Sequence, residues 1–275
     1  MNKMNIFSAV CGVLLTLAST TFAQDSYKPG GATVVRIQGE ARYSIDGGQT
    51  WTPLVAGNVV AAGAVLQTGY NSYIDVVLGK AVQVPQSVIV PNHISPAADY
   101  PVRGLISYRP QVEQNMIRLT ANTTLAINKL TVSDTGVDTV SDTELDLQKG
   151  YIFAKVTKLN GASQYLIKIP NGIAGVRGTY FGLGADGRCD VYQNSVLLST
   201  VGSDGKPSTE LVSEGNSFNP TTGQVNPALP EIMSILGKTL PILTSLYTPN
   251  DGISFCVIQN NTFISTDRTG HSTIP

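Results

Sequence analysis

The chain has 275 residues, and 13% of them are charged, with 18 Lys and Arg against 19 Asp and Glu for a formal net charge of −1. A soluble protein averages roughly 25% charged residues, and neither sign forms a block here. The composition therefore excludes the basic footprint of a nucleic-acid binder and the polybasic patch of a protein held on an anionic membrane. Residues 1–23 have the build of a secretory signal peptide: Lys3 supplies the basic start, Ile6 to Ala18 the apolar core, and Thr21-Phe22-Ala23 the small-residue cleavage site. That core is too short to span a bilayer. Cys11 lies inside it after Ser8-Ala9-Val10, without the leucine that a lipoprotein site usually has. The expected product begins at Gln24 and is periplasmic or secreted, with no membrane insertion after cleavage.

Residues 24–226 predict an all-β domain. Val34-Val35-Arg36-Ile37, Arg42-Tyr43-Ser44-Ile45, Tyr73 to Leu78, Val82-Gln83-Val84, Val88-Ile89-Val90, Val191 to Leu198 and Ser208 to Val212 alternate or cluster β-branched and aromatic residues between Gly, Pro, Asn and Asp. No stretch among them keeps a helical period for three turns. Gly57, Gly63 and Gly69 fall six residues apart with apolar pairs between them, the spacing of a chain that bends at fixed intervals, as in a sandwich or a short β-solenoid. Residues 91–115, with Pro91, Pro96, Pro101 and Pro110, break the rhythm and read as a variable surface loop or a binding loop.

A helical segment is predicted over 227–248, where Leu229, Ile232, Met233, Leu236, Leu240, Leu243 and Leu246 recur at three- and four-residue steps. Gly237 and Pro241 interrupt it, so a kink or two shorter helices are expected, packed on the β domain or offered to a partner. Residues 249–275 read as a C-terminal hairpin, from Phe255 to Ser265, and a tail. Cys189 and Cys256 are the cysteines left after processing, and an exported chain predicts either one disulfide between them or two buried thiols.

The most informative run is Ile169-Pro170-Asn171-Gly172-Ile173-Ala174-Gly175-Val176-Arg177-Gly178-Thr179-Tyr180-Phe181. It reads as a strand, a glycine corner and a second strand, with one arginine between two glycines. This run resembles the signature of the FecR domain, a bacterial extracytoplasmic all-β module named for an iron-transport signal transducer. Val55 to Gly69 is similar to that family's glycine-spaced stretch, and Ile117 to Ile127 and Leu145 to Ile152 fit its strand pattern, so the resemblance extends over roughly residues 31 to 219. It implies a compact β-sandwich or short solenoid, with Gly175, Arg177, Gly178 and Thr179 as its structural signature. Arg177 is expected to be buried or half-buried, pinning the corner to a neighbouring strand through carboxylate or carbonyl acceptors; direct contact with a ligand is the alternative.

Other motifs spell turns. Ser44-Ile45-Asp46-Gly47-Gly48-Gln49-Thr50-Trp51 matches the Asp-box of sialidase propellers, a hairpin turn capped by its aspartate; a propeller needs several copies and this chain has one. Asp134-Thr135-Gly136 spells the aspartic-protease triplet, but that chemistry needs a second aspartate from a second copy. Asp134, Asp138, Asp142, Glu144 and Asp146 form an acidic segment that reads as a solvated loop or a calcium site without EF-hand spacing. The two histidines, His93 and His271, are too few for zinc or a serine triad.

No catalytic constellation, cofactor motif or metal motif emerges. The expected function is that of an exported, non-enzymatic interaction or signalling module with a protein partner in the cell envelope. A surface structural or carbohydrate-binding protein is the alternative, and a secreted hydrolase using Asp134 and Asp138 a more distant one. The family's transducers place an anti-sigma segment and a membrane helix before the module; neither is read in this sequence.

Overall fold

The computed structural model of the protein describes residues 27–80, 114–136, 138–202 and 205–244, and the backbone of three strands within 255–273. The predicted signal peptide, the strands predicted at residues 82–84 and 88–90, nearly all of the proline-punctuated segment, both histidines, Leu246 and the side chain of Cys256 lie outside these residues.

The chain builds two layers and changes layer after every strand or hairpin. Lys28–Pro29 (β1) flanks the first layer. Gly31–Gln38 (β2) enters the second, Ala41–Ser44 (β3) and Thr52–Pro53 (β4) the first, Val59–Val60 (β5) the second and Val65–Thr68 (β6) the first. Tyr73–Gly79 (β7) and Asn115–Leu119 (β8) return to the second, Thr124–Asp134 (β9) and Thr139–Lys149 (β10) to the first, and Tyr151–Lys155 (β11) to the second. Gln164–Ile169 (β12) and Gly172–Val176 (β13), then Ser195–Val201 (β16) and Pro207–Ser213 (β17), complete the first. Tyr180–Gly184 (β14) with Cys189–Gln193 (β15), then Asn216–Asn219 (β18) with Gln224–Pro227 (β19), complete the second. The first layer has the order β17-β16-β13-β12-β10-β9-β6-β3-β4 and the second β19-β18-β15-β14-β11-β8-β7-β2-β5. Because β11 leaves for the other layer, β10 meets β12 in parallel, the one parallel ladder among the described strands. The fold is all-β, a two-sheet sandwich with a solenoid-like chain path and no closed barrel, so the choice between sandwich and solenoid resolves into one architecture with features of both.

Period-two alternation drives this arrangement. Leu66, Ile127, Leu145, Ile167, Ala174 and Leu198 of the first layer meet Val34, Val76, Ile117, Ile152, Phe181 and Val191 of the second in one continuous core. The central strands of the second layer are buried on both faces; β7 and β14 are buried along nearly their whole length. Something must cover their outer side, and Pro230–Leu243 (α1) does so. Leu236 and Leu243, with Ile232, Met233 and Leu240 beside them, pack on Val35, Val77, Met116 and Tyr180.

The helix begins with Pro230, whose missing N–H costs nothing in a first turn, and Glu231 complements the dipole there. It runs unbroken through Gly237 and Pro241, and Leu229 is exposed at its N-cap. Gly237 is a packing device: a Cβ there would sit 2.9 Å from the Tyr192 hydroxyl. Pro241 falls in the last turn, where the bond it cannot donate is a single one. After the helix, Phe255–Gln259 (β20), Thr262–Thr266 (β21) and Ser272–Thr273 (β22) pair only with one another among the described residues. The expected Cys189–Cys256 disulfide is not found. Cys189 is a free thiol, fully buried in the core between the sheets.

Candidate functional site

The Gly175–Thr179 signature is the point at which the chain crosses from β13 in the first layer to β14 in the second. Two of its residues answer to the crossing itself. Gly178 has φ +82°, and a Cβ would lie 3.0 Å from the Lys158 backbone. Thr179 is buried and donates its hydroxyl to the Ser195 carbonyl at 2.7 Å, while its own carbonyl accepts from Val156 N–H at 2.8 Å. Arg177 departs from expectation. It is exposed, and its guanidinium donates to the Asn160 carbonyl at 2.7 Å in the connection between β11 and β12. The acceptor is a carbonyl, as expected, but the residue is not buried: Val176 points inward, and alternation turns Arg177 to the surface before Gly178 bends the chain.

Gly175 has a different basis. Its φ is not in the left-handed region, and a Cβ there would find its nearest neighbours, Leu166 Cδ2 and Leu197 O, at 3.8 Å, ordinary contact distance. Gly172, three residues earlier, is a contrast, since a Cβ there would come within 2.2 Å of the Ser199 carbonyl. The fold needs glycine at 172 and 178 and does not need it at 175. Glycine inside a strand weakens it and often marks close approach by another group.

The surroundings of Gly175 show what could approach. Ala174 and Val176 are buried, so Ile173, Gly175 and Arg177 face outward from the first layer. Register sets Leu211, Leu197, Gly175, Leu166 and Glu144 side by side across β17, β16, β13, β12 and β10. Leu197 and Leu211 are 51% and 59% exposed. The result is a shallow apolar trough floored by Gly175, walled by Leu166 and Leu197, and closed at one end by Arg177. On its far side, Lys168 pairs with Glu144 and Lys129 with Asp142. The helix covers the other layer's outer face, and no described element covers this one.

The acidic segment is thereby explained. Asp142, Glu144 and Asp146 lie on strand β10 rather than in a loop, and their cations come from β9 and β12, the neighbouring strands. The Lys168 bond holds the Glu144 carboxyl below its ordinary value, with burial opposing. Asp134 accepts from Gly136 N–H at 3.0 Å, an Asx-turn, and pairs with Lys80; Asp138 accepts from Asn160. The Asp134-Thr135-Gly136 triplet is a turn. No group of three or more metal-ligating side chains occurs among the described residues. Asp46 caps its hairpin as expected, accepting from Gln49 and Thr50 N–H at 3.0 and 2.9 Å, and Gly47 and Gly48 take positive φ. Bonds from the Ser44 and Thr50 hydroxyls, then the Thr50 amide, hold its carboxyl well below the ordinary range.

Two buried charge centres lie outside the sequence expectations. Asp75, fully buried on β7, accepts from Arg36 of β2 and from Arg118 of β8, the latter at 2.6 and 2.8 Å. Arg118 also stacks 4.2 Å over the Tyr73 ring, and Arg36 reaches the Ile242 carbonyl at 3.3 Å, so this centre meets the C-terminal end of α1. Burial works against the Arg118 cation, and the Asp75 bond and charge more than offset it. Asp190, fully buried on β15, accepts from Tyr151 at 2.7 Å, from Arg188 at 2.9 Å and from Ser217. Alternation places Asp75 and Asp190 on the outer side of the second layer, since Ile74, Val76, Cys189 and Val191 beside them face the inter-sheet core, so their burial was not legible; apart from Arg188, two residues from Asp190, their partners are far away in sequence. Both carboxylates are fully engaged and hold strands and helix together; neither is free to act on a substrate.

The FecR protein family model matches residues 111–197. The chain therefore carries a FecR domain over this part of the sandwich, which includes Leu166, Leu197 and the whole Gly175–Thr179 signature. The same two-layer architecture continues on both sides of the match, through residues that the resemblance in sequence also reached. No curated protein matches the chain. Two solved chains are similar, both described as a candidate anti-sigma factor from Parabacteroides distasonis ATCC 8503, each 14% identical with a TM-score of 0.33. The match covers 47% and 48% of this chain and 59% and 61% of those, so this chain spans less than two thirds of their length. No helix among the described residues is long and apolar enough to cross a membrane.

Proposed function

We propose that the protein is an exported, non-enzymatic signalling module of the FecR type, which binds a protein partner in the cell envelope through the outer face of its first layer. The observation that carries this reading is Gly175. Its missing side chain is not required by the fold, and it leaves room between Leu166 and Leu197 on a face that no described element covers. Such a trough fits a projecting apolar side chain from a partner, with an acidic group beside it to meet the guanidinium donors of Arg177 not taken by Asn160. FecR membership of residues 111–197 supports a regulatory role over a catalytic one. The carbohydrate-binding alternative draws less support from the structure. Trp51, the natural platform, already carries Arg42 4.6 Å over its ring and lies 3.5 Å from where a Gly48 side chain would begin.

Photo-crosslinking in intact envelopes tests the proposal. A benzophenone side chain placed at Leu197 should yield a discrete protein adduct, and one placed at exposed Ile235 on α1 should not. Equal adduct patterns from both positions, or none from position 197 under several growth conditions, would contradict it.

A further inference from the structure

The first layer ends in β17, and its outer edge pairs with nothing among the described residues. Seven residues of edge strand are an open template, which proteins ordinarily blunt with lysines, bulges or brevity. Pro207 stands at one end, but the outward side chains Thr209, Leu211 and Ser213 are uncharged and exposed. We propose that β17 pairs antiparallel with β17 of a second copy of this chain, about a two-fold axis at Leu211, joining the two first layers into one continuous sheet.

Charge and shape select this register. An axis at Glu210 would set that carboxylate against itself. One at Val212 would set Glu210 opposite Glu214 of the other copy, and one at Thr209 would place Leu211 against Pro207, which has no N–H for the ladder. An axis at Leu211 places Glu210 opposite Val212, Thr209 opposite Ser213 and Ser208 opposite Glu214, with no like charges facing. It also puts Leu211 against its copy. Since Leu197 is the in-register neighbour of Leu211 on β16, four leucines then form one unbroken apolar row across the axis. The pairing is isologous and closes as a dimer. It leaves the Gly175 trough of each copy open, so it stands or falls independently of the partner reading.

The test is the solution mass of the purified protein across a concentration series, with two variants. The expected result is twice the chain mass for the parent and the single chain mass for L211K, which brings two ammonium groups together at the axis. In a C256S background, L211C should form an oxidised dimer bridged through position 211, as buried Cys189 is not accessible. A parent that stays monomeric throughout the series overturns the proposal, including the outcome in which β17 pairs only with a strand of another protein. A dimer that L211K leaves intact overturns it as well. If L211K does not fold, L211C decides: absence of the 211–211 bridge overturns the proposal.

Discussion

Gly175 and Gly178 stand three residues apart, and physics treats them oppositely. Gly178 occupies φ +82° against the Lys158 backbone, so G178A should destabilise by more than about 1 kcal/mol. G175A adds a methyl at ordinary contact distance in a strand, and should be neutral or stabilising by up to about 1 kcal/mol. Thermal melts of the two variants check this, with roughly 2–4 °C expected per kcal/mol for a chain of this size. Sequence alone showed both glycines and the arginine between them but could not sort them, because what distinguishes them is a neighbour in another strand. Arg177 shows the same limit: its partner type was legible and its exposure was not. The buried cation sits instead at Asp75, flanked by Arg36 and Arg118. Replacing Asp75 by Ala removes the buried carboxylate that Arg36 and Arg118 share and should cost about 3–5 kcal/mol in a denaturant titration. Replacing all three by apolar residues of similar size should recover most of the loss; a fully stable D75A would show that the centre contributes nothing.

At the scale of elements, hydrophobic period was a good guide wherever one face is buried. Among the described residues it marked the strands, and it marked the helix, since Ile232, Met233, Leu236, Leu240 and Leu243 are the residues that seal the second layer. It marked Gly237 and Pro241 as interruptions, and of the two outcomes expected there the two shorter helices are not found: Gly237 makes room for Tyr192, Pro241 falls in the last turn, and α1 continues across both. The acidic segment misled for a related reason: β10 carries the acids, and β9 and β12 supply the lysines. The Asp46 turn was legible in full, since all of its partners are local. Its pH behaviour follows from the depressed carboxyl. The unfolded group titrates near its ordinary 3.8 and the folded group lower, so the turn's contribution is present above that value and is lost as pH falls below it. The stability difference between the parent and D46N should therefore be constant from neutral pH down to about 5 and shrink in stronger acid. A difference that grows on acidification would reverse the sign of the account.

At the scale of the molecule, among the described residues, one layer is sealed by a helix and the other is left open with an apolar trough and an unpaired edge. That asymmetry was beyond sequence reading, which saw neither which strands share a layer nor which layer the helix covers. The solenoid-like crossing between layers also encloses Cys189, and burial, then the Asp190 charge, raise its thiol far above the ordinary value. Alkylation without reductant should leave Cys189 untouched in the folded protein and modify it once denatured; protection that persists after denaturation would restore the disulfide. The central claim is that the gap over Gly175 exists for a partner, and G175V tests it most directly by filling that gap from within. The expected result is an unchanged circular dichroism spectrum, a melting temperature at or above that of the parent, and loss of the adduct formed from the crosslinker at Leu197. A folded G175V protein that still forms the adduct at parental yield would contradict the account.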